Sequence, residues 1–185
     1  MMDKILLAGF GGQGIMFLGK VMAYAGMLNH REVCWIPSYG PEMRGGTANC
    51  SVMIANEEIY SPVIEVADAG IVLNQPSYEK FVSRIKPGGV LVVNSSLISL
   101  GSQRPDIHLI DIPAGQIANQ LGNDHLANMV CLGAIISKLA LIDMETVQQA
   151  MQFLIGKKKP ELLALNLSAI CKGIEYGYGS GLHPI

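Results

Sequence analysis

The sequence predicts an α/β fold, a Rossmann-like three-layer arrangement around a mostly parallel sheet, with an antiparallel hairpin excursion and a helical C-terminal part. Three observations predict it. The chain opens on a short apolar run at residues 4–9, which meets a glycine-rich turn and then residues 15–28, whose apolar positions recur at helical spacing. Its middle alternates short apolar runs with turns and a helical stretch. From Ala114 onward the pattern is helical.

Taken in order, residues 4–9 read as a buried strand and 15–28 as the helix that follows it. A second strand fits residues 33–36. The next ten residues, Pro37-Ser38-Tyr39-Gly40-Pro41-Glu42-Met43-Arg44-Gly45-Gly46, hold too many prolines and glycines for a regular element and read as an ordered loop. Residues 48–55 alternate like a strand, Asn56-Glu57-Glu58 makes a turn, and 59–64 returns as the hairpin partner. The parallel pattern resumes with a strand at 69–73, a helix at 77–85, a turn at Lys86-Pro87-Gly88-Gly89, and strands at 90–93 and 108–112. Helices follow at 114–121, 126–141, after Asp143 as N-cap, and 161–176.

The 185 residues suit a single domain, 1–185, with an α/β part to about residue 113, a helical part over about 114–176 and a flexible, glycine-rich tail at 177–185. Half the residues are apolar and 15% are charged, which implies a buried interface with other chains and, without them, pairing of two copies as a homodimer. A net charge of -2, with no basic cluster beyond the three lysines at 157–159, argues against nucleic-acid binding. The apolar run around Ile135 is broken by Lys138, and the run at residues 5–8 is too short for a signal peptide, so no membrane segment is expected. Cys34, Cys50, Cys131 and Cys171 lie far apart with no C-x-x-C pair, the pattern of buried thiols in a reducing cytoplasm rather than of zinc or cluster ligands.

Gly9-Phe10-Gly11-Gly12-Gln13-Gly14 satisfies G-x-G-x-x-G between a strand and a helix, where backbone amides and the helix N-terminus can meet an anion. A dinucleotide site also needs an acid at the end of the second strand to bind the ribose. Here Pro37 and Ser38 stand there, and Glu32 precedes the strand. The glycines alone could serve only a tight turn, but Gln13 adds an amide donor and a carbonyl acceptor for a ligand or a neighbouring chain.

The segment from Ser38 to Thr47 should leave the carboxyl end of its strand on the side where the glycine turn opens, the ligand-binding side of open α/β sheets. Arg44, followed by Gly45 and Gly46, can present its guanidinium to a phosphate or carboxylate, or pair with Glu42. Tyr39 can stack on a flat ligand or pack beneath the loop. Asn74 and Asn128 read as partners of backbone groups. No G-x-S-x-G, H-E-x-x-H or Walker lysine is present, and His30, His108, His125 and His183 are scattered, so no catalytic residue is assigned.

The glycine turn followed by Ser38-Tyr39-Gly40-Pro41-Glu42-Met43-Arg44-Gly45-Gly46 resembles the gamma subunits of pyruvate, 2-oxoisovalerate and 2-oxoglutarate:ferredoxin oxidoreductases. The resemblance extends through Ser51-Val52-Met53-Ile54, Ile59-Tyr60-Ser61-Pro62 and Lys86-Pro87-Gly88-Gly89 to Asn128-Met129-Val130 and Leu132-Gly133-Ala134. It implies a cytoplasmic complex that oxidatively decarboxylates a 2-oxoacid with coenzyme A, giving acyl-CoA, carbon dioxide and reduced ferredoxin. Thiamine diphosphate, magnesium and iron–sulfur clusters then belong to alpha, beta and delta-type companions. In that setting Gly11, Gly12, Gln13, Gly14, Ser38, Tyr39, Glu42, Arg44, Gly45 and Gly46 face the joint site near thiamine and the coenzyme A path. The Ser-Tyr-Gly-Pro-Glu wording favours 2-oxoglutarate. The rivals are the beta subunit of indolepyruvate:ferredoxin oxidoreductase, which has similar G-G-Q-G and R-G-G segments, a stand-alone NAD-binding oxidoreductase, and a scaffold whose glycine loop only shapes an interface.

Overall fold

The structure is a computed structural model that describes residues 1–38, 47–99, 104–156 and 159–179. Six strands, β1 (Met2–Phe10), β2 (Glu32–Ser38), β3 (Thr47–Ala55), β4 (Ala67–Val72), β5 (Ile85–Asn94) and β6 (His108–Ile112), form one sheet in the order β2-β3-β1-β4-β5-β6. β1, β4, β5 and β6 are parallel neighbours, while β3 runs antiparallel to both β1 and β2. The helices are α1 (Ile15–Leu28), α2 (Gln75–Phe81), α3 (Ala114–Gln120), α4 (Ala127–Ile136), α5 (Met144–Met151) and α6 (Pro160–Gly179).

Strand alternation sorts the core into two layers. Ile5, Leu7, Val52, Ile54, Ile71, Val90 and Val92 point to one face, where α1, α4, α5 and α6 cover them. Leu6, Ala8, Met53, Val72, Leu91 and Val93 point to the other, covered by Tyr78, Phe81, Val82 and Ile64. Each such aliphatic side chain, fully removed from water, stabilises the fold by about 1.5–3 kcal/mol. The fold class expected from the sequence is the one found, a mostly parallel sheet between two layers with one antiparallel excursion.

The excursion, however, is not the one the sequence suggested. Residues 59–64 form no strand; β2 is the partner of β3, with Ser38 opposite Asn49 and Glu32 opposite Ala55. Residues 59–66 instead run irregularly towards β4, with Ile64 buried in the second layer, and the Arg84 guanidinium donates to the carbonyls of Ile64 and Glu65. Those bonds satisfy backbone acceptors that a strand ladder would otherwise have filled.

Other boundaries shift for local reasons. The expected turn at residues 86–89 lies within β5 as an irregularity: Ala67 pairs with Ile85 but Ala69 with Val90. The helix expected at 77–85 begins at Gln75, because Asn74 accepts from the Ser77 N–H at 3.0 Å as its N-cap, and it tightens into a 3-10 turn at Val82–Arg84 before Ile85 enters the sheet. α4 stops at Ile136, short of the expected residue 141. Asp143 caps α5 as expected, accepting from the Thr146 N–H at 2.8 Å in a capping box. α6 continues to Gly179, into the segment read as tail.

α4 and α6 pack with backbones in close approach. A Cβ at Gly133 would overlap the Ile170 carbonyl, and one at Gly173 would overlap the Val130 carbonyl, so each helix offers the other a bare stretch of backbone. This contact fixes where the N-terminal ends of both helices stand, and those ends wall the cleft described next.

Candidate functional site

The β1–α1 turn contains four glycines in six residues. Gln13 donates its N–H to the Phe10 carbonyl at 3.2 Å, and Gly12 (φ 93°) and Gly14 (φ 79°) occupy the left-handed region that favours glycine. Gly14 is also the N-cap of α1, and a Cβ there would overlap the Asn128 amide nitrogen. Strand order reverses beside β1, since the chain builds outward through β2 and β3 on one side and β4 to β6 on the other. The turn therefore stands at the sheet's switch point, at the carboxyl end of its strands.

Across that switch point Gln13 folds inward. Its Oε1 accepts from the Phe10 N–H at 2.7 Å and from Asn74 Nδ2 at 2.9 Å, and its Nε2 lies 3.5 Å from the Leu73 carbonyl. Asn74, at the end of β4, is 2% exposed and uses its own oxygen to cap α2. The Gln13 amide, expected from the sequence to serve a ligand or a neighbouring chain, is thus engaged with its own chain. The β1–α1 and β4–α2 loops are thus bridged by side-chain amides.

Beside the turn opens a cleft of about 970 Å3, a size that suits a small-molecule or cofactor site. Its walls are the glycine turn, the end of β5 with Asn94 and Ser96, the start of α3, the 3-10 turn Asp124–Leu126, the start of α4 and the first turns of α6. Phe17, Leu73, Leu97, Ile155 and Leu162 supply apolar surface. Several asparagines of the wall already accept backbone N–H bonds through their oxygens. Asn94 Oδ1 accepts from the N–H groups of Ser96 (3.2 Å) and Gly115 (3.4 Å), Asn123 Oδ1 from His125 N–H (3.0 Å), and Asn128 Oδ1 from Met129 N–H (2.8 Å). Each keeps its NH2 group, and the Asn123 and Asn128 oxygens each keep a second lone pair.

The N-termini of α1 and α4 add partial positive charge to the same wall. Among the described residues no lysine or arginine lines the cleft. Its wall mixes amide donors with acceptors, among them the Asp124 carboxylate and the oxygen of Asn166, whose NH2 already donates to the Leu162 carbonyl.

Of the residues singled out in the sequence, Gly12, Gln13 and Gly14 line this cleft. Gly11 is exposed in the same turn but is not in the wall. Ser38 is exposed at the end of β2, two strands from β1 and therefore roughly 10 Å away across the sheet. Tyr39, Glu42, Arg44, Gly45 and Gly46 lie outside the described residues. The strand that follows them starts at Thr47, which pairs with Phe10. Asn94, Ser96, Gln116, Asn123 and Asn166 were not singled out; the polar Asn94-Ser95-Ser96 after an apolar strand was the one local signal of them. Asn128 bonds a backbone N–H, as read from the sequence, and also lines the cleft.

The cysteines stay apart from it. Burial pushes the Cys50 thiol up to about 11 and the Cys131 thiol higher still, so neither is a nucleophile at neutral pH. Among the described residues no cluster of three or more His, Cys, Asp or Glu side chains is placed to hold a metal ion, and no helix is long and apolar enough to cross a membrane.

Residues 4–176 match the family model described as pyruvate ferredoxin/flavodoxin oxidoreductase. The 2-oxoglutarate synthase subunit KorC of Methanocaldococcus jannaschii is 34% identical over 178 residues, covering 95% of this chain and 94% of that protein. The ketoisovalerate oxidoreductase subunit VorA of Methanothermobacter thermautotrophicus is 33% identical over 174 residues, 94% of this chain; the chain spans about a third of it, 36%. A solved 2-oxoglutarate:ferredoxin oxidoreductase from Magnetococcus marinus, with 2-oxoglutarate, coenzyme A and succinyl-CoA bound, superimposes with a TM-score of 0.87 at 28% identity, covering 96% of this chain and 31% of that one. The gamma subunit of a keto/oxoacid ferredoxin oxidoreductase from Geobacter sulfurreducens superimposes at 0.80 with 28% identity, covering 96% of this chain and 99% of that one.

Proposed function

The chain belongs to the pyruvate ferredoxin/flavodoxin oxidoreductase family, and from that premise we propose that it is the gamma-type subunit of a multi-subunit 2-oxoacid:ferredoxin oxidoreductase whose cleft takes coenzyme A. The observation that carries the reading is the cleft itself. Amide NH2 groups and two helix N-termini at the sheet's switch point suit the phosphate and carbonyl oxygens of coenzyme A, the apolar wall suits its methylene segments, and the Asp124 carboxylate in the same wall requires the phosphates to lie away from it. The likeness to an oxidoreductase with coenzyme A bound supports the same ligand.

In the complex, the 2-oxoacid loses carbon dioxide, its acyl group passes to the coenzyme A sulfur, and two electrons leave for ferredoxin. Thiamine diphosphate with its magnesium supplies the carbon chemistry, and iron–sulfur clusters the electron path, from alpha, beta and delta-type companion chains. The described residues here bring no metal-ligand set together. This chain's part is to bind coenzyme A, orient it and exclude water, a positioning contribution to the rate. Arg44, which lies outside the described residues, is assigned the pairing with a coenzyme A phosphate or the substrate carboxylate that its guanidinium suits.

We assign 2-oxoglutarate as the substrate, supported by the near full-length similarity to KorC. The similarity to VorA favours a branched 2-oxoacid as the second reading. Assaying the complete complex for ferredoxin reduction with 2-oxoglutarate, 2-oxoisovalerate, pyruvate and indolepyruvate tests this. The highest kcat/KM is expected for 2-oxoglutarate, by at least about tenfold, the discrimination that one charged contact supplies. A preference for 2-oxoisovalerate or indolepyruvate would reassign the substrate.

A further inference from the structure

The stretch from Gly9 to Gly14 contains only two residues with side chains, and one of them, Phe10, is 39% exposed. A loop so rich in glycine has many backbone states open to it. Its one internal backbone bond is Gln13 N–H to the Phe10 carbonyl. Gly9 and Phe10 belong to the β1–β3 ladder, and the turn beyond them is tied by the Gln13 side chain, whose oxygen gathers the Phe10 N–H and Asn74 Nδ2 at 2.7 and 2.9 Å. Asn74 is buried and fixed from its other end by the Ser77 N–H. The β1–α1 and β4–α2 loops are thereby joined across the switch point by one pair of amides.

We propose that Gln13 and Asn74 are a positioning pair that holds the glycine turn against the cleft, so that Gly12 and Gly14 stand where coenzyme A needs them. The inference rests on the assignment of coenzyme A to this cleft, and it gives Gln13 a role through the turn's shape.

Asn74→Asp separates the pair from the cap. The aspartate keeps the oxygen that accepts from Ser77, but it removes the donor to Gln13 and sets oxygen against oxygen. Gln13 cannot turn its NH2 to the aspartate without presenting it to the Phe10 N–H. A purely structural cap predicts no change.

The positioning role predicts, in the reconstituted complex, a KM for coenzyme A raised about tenfold with the KM for 2-oxoglutarate unmoved. Amide exchange at Phe10 should quicken in the same variant. Gln13→Ala should match it, and the double variant should be no worse than either alone, because the two residues share one interaction.

Asn119→Trp, on the exposed wall of α3, narrows the cleft without touching the pair. If it raises the KM for coenzyme A while Asn74→Asp and Gln13→Ala do not, the positioning pair is wrong and the cleft assignment stands. If Asn119→Trp leaves that KM unchanged, the coenzyme A assignment itself is what fails.

Discussion

Gly173→Ala is expected to destabilise the chain by about 3 kcal/mol, the upper end of what a forced contact in a packed core costs. Two effects compete. Alanine is the better helix former, by about 1 kcal/mol. Against that, its methyl would overlap the Val130 carbonyl and lie 2.9 Å from the Ala134 nitrogen, atoms of a helix backbone that cannot rotate aside. The overlap wins. Gly179→Ala, whose methyl would meet nothing within 4 Å, is the matched control and should be neutral or slightly stabilising. Urea denaturation followed by far-UV circular dichroism checks both; equal midpoints for the two variants would mean that α4 and α6 are farther apart than described.

Gly14→Ala is expected to reduce kcat/KM for coenzyme A about a hundredfold while the subunit still folds and assembles. The alanine must hold a left-handed backbone, a cost of about 1–2 kcal/mol, and its methyl would overlap the Asn128 amide nitrogen. The cheapest relief is to move the turn or Asn128, and both line the cleft. Steady-state kinetics with varied coenzyme A read this directly, and an unchanged kcat/KM would place the ligand elsewhere.

How much of this was legible in the sequence depended on how local the cause was. The bounds of α1 follow from the glycine that opens it and the apolar spacing within it, and they are as expected at both ends. Asp143 was recognisable as a cap because a cap is a contact over three residues. The partner of β3 was misread because residues 59–64 are apolar and follow a turn, whereas pairing was decided by β2 across a longer connection. Arg84, twenty residues on, meets the carbonyls that made a strand unnecessary.

The candidate site was half legible for the same reason. A glycine turn is a local signature, so Gly12, Gln13 and Gly14 could be named. Asn94, Asn123, Asn128 and Asn166 come from four separate elements, and no spacing in the chain connects them. The direction of the Gln13 side chain was likewise hidden, since its partner Asn74 lies 61 residues away at the end of another strand. The Gly133 and Gly173 contact could not be read as packing from two isolated glycines in helical stretches.

The central claim is that this chain works only inside a thiamine-dependent complex, where it takes the coenzyme A. Anaerobic affinity purification of the tagged chain from its native cells, with partner identification and a coenzyme A-dependent ferredoxin-reduction assay, tests it most directly. The account predicts co-purification of thiamine-binding and cluster-binding chains, with 2-oxoacid-dependent ferredoxin reduction that stops when coenzyme A is withheld. A chain that purifies alone and binds NAD(H) saturably would contradict it.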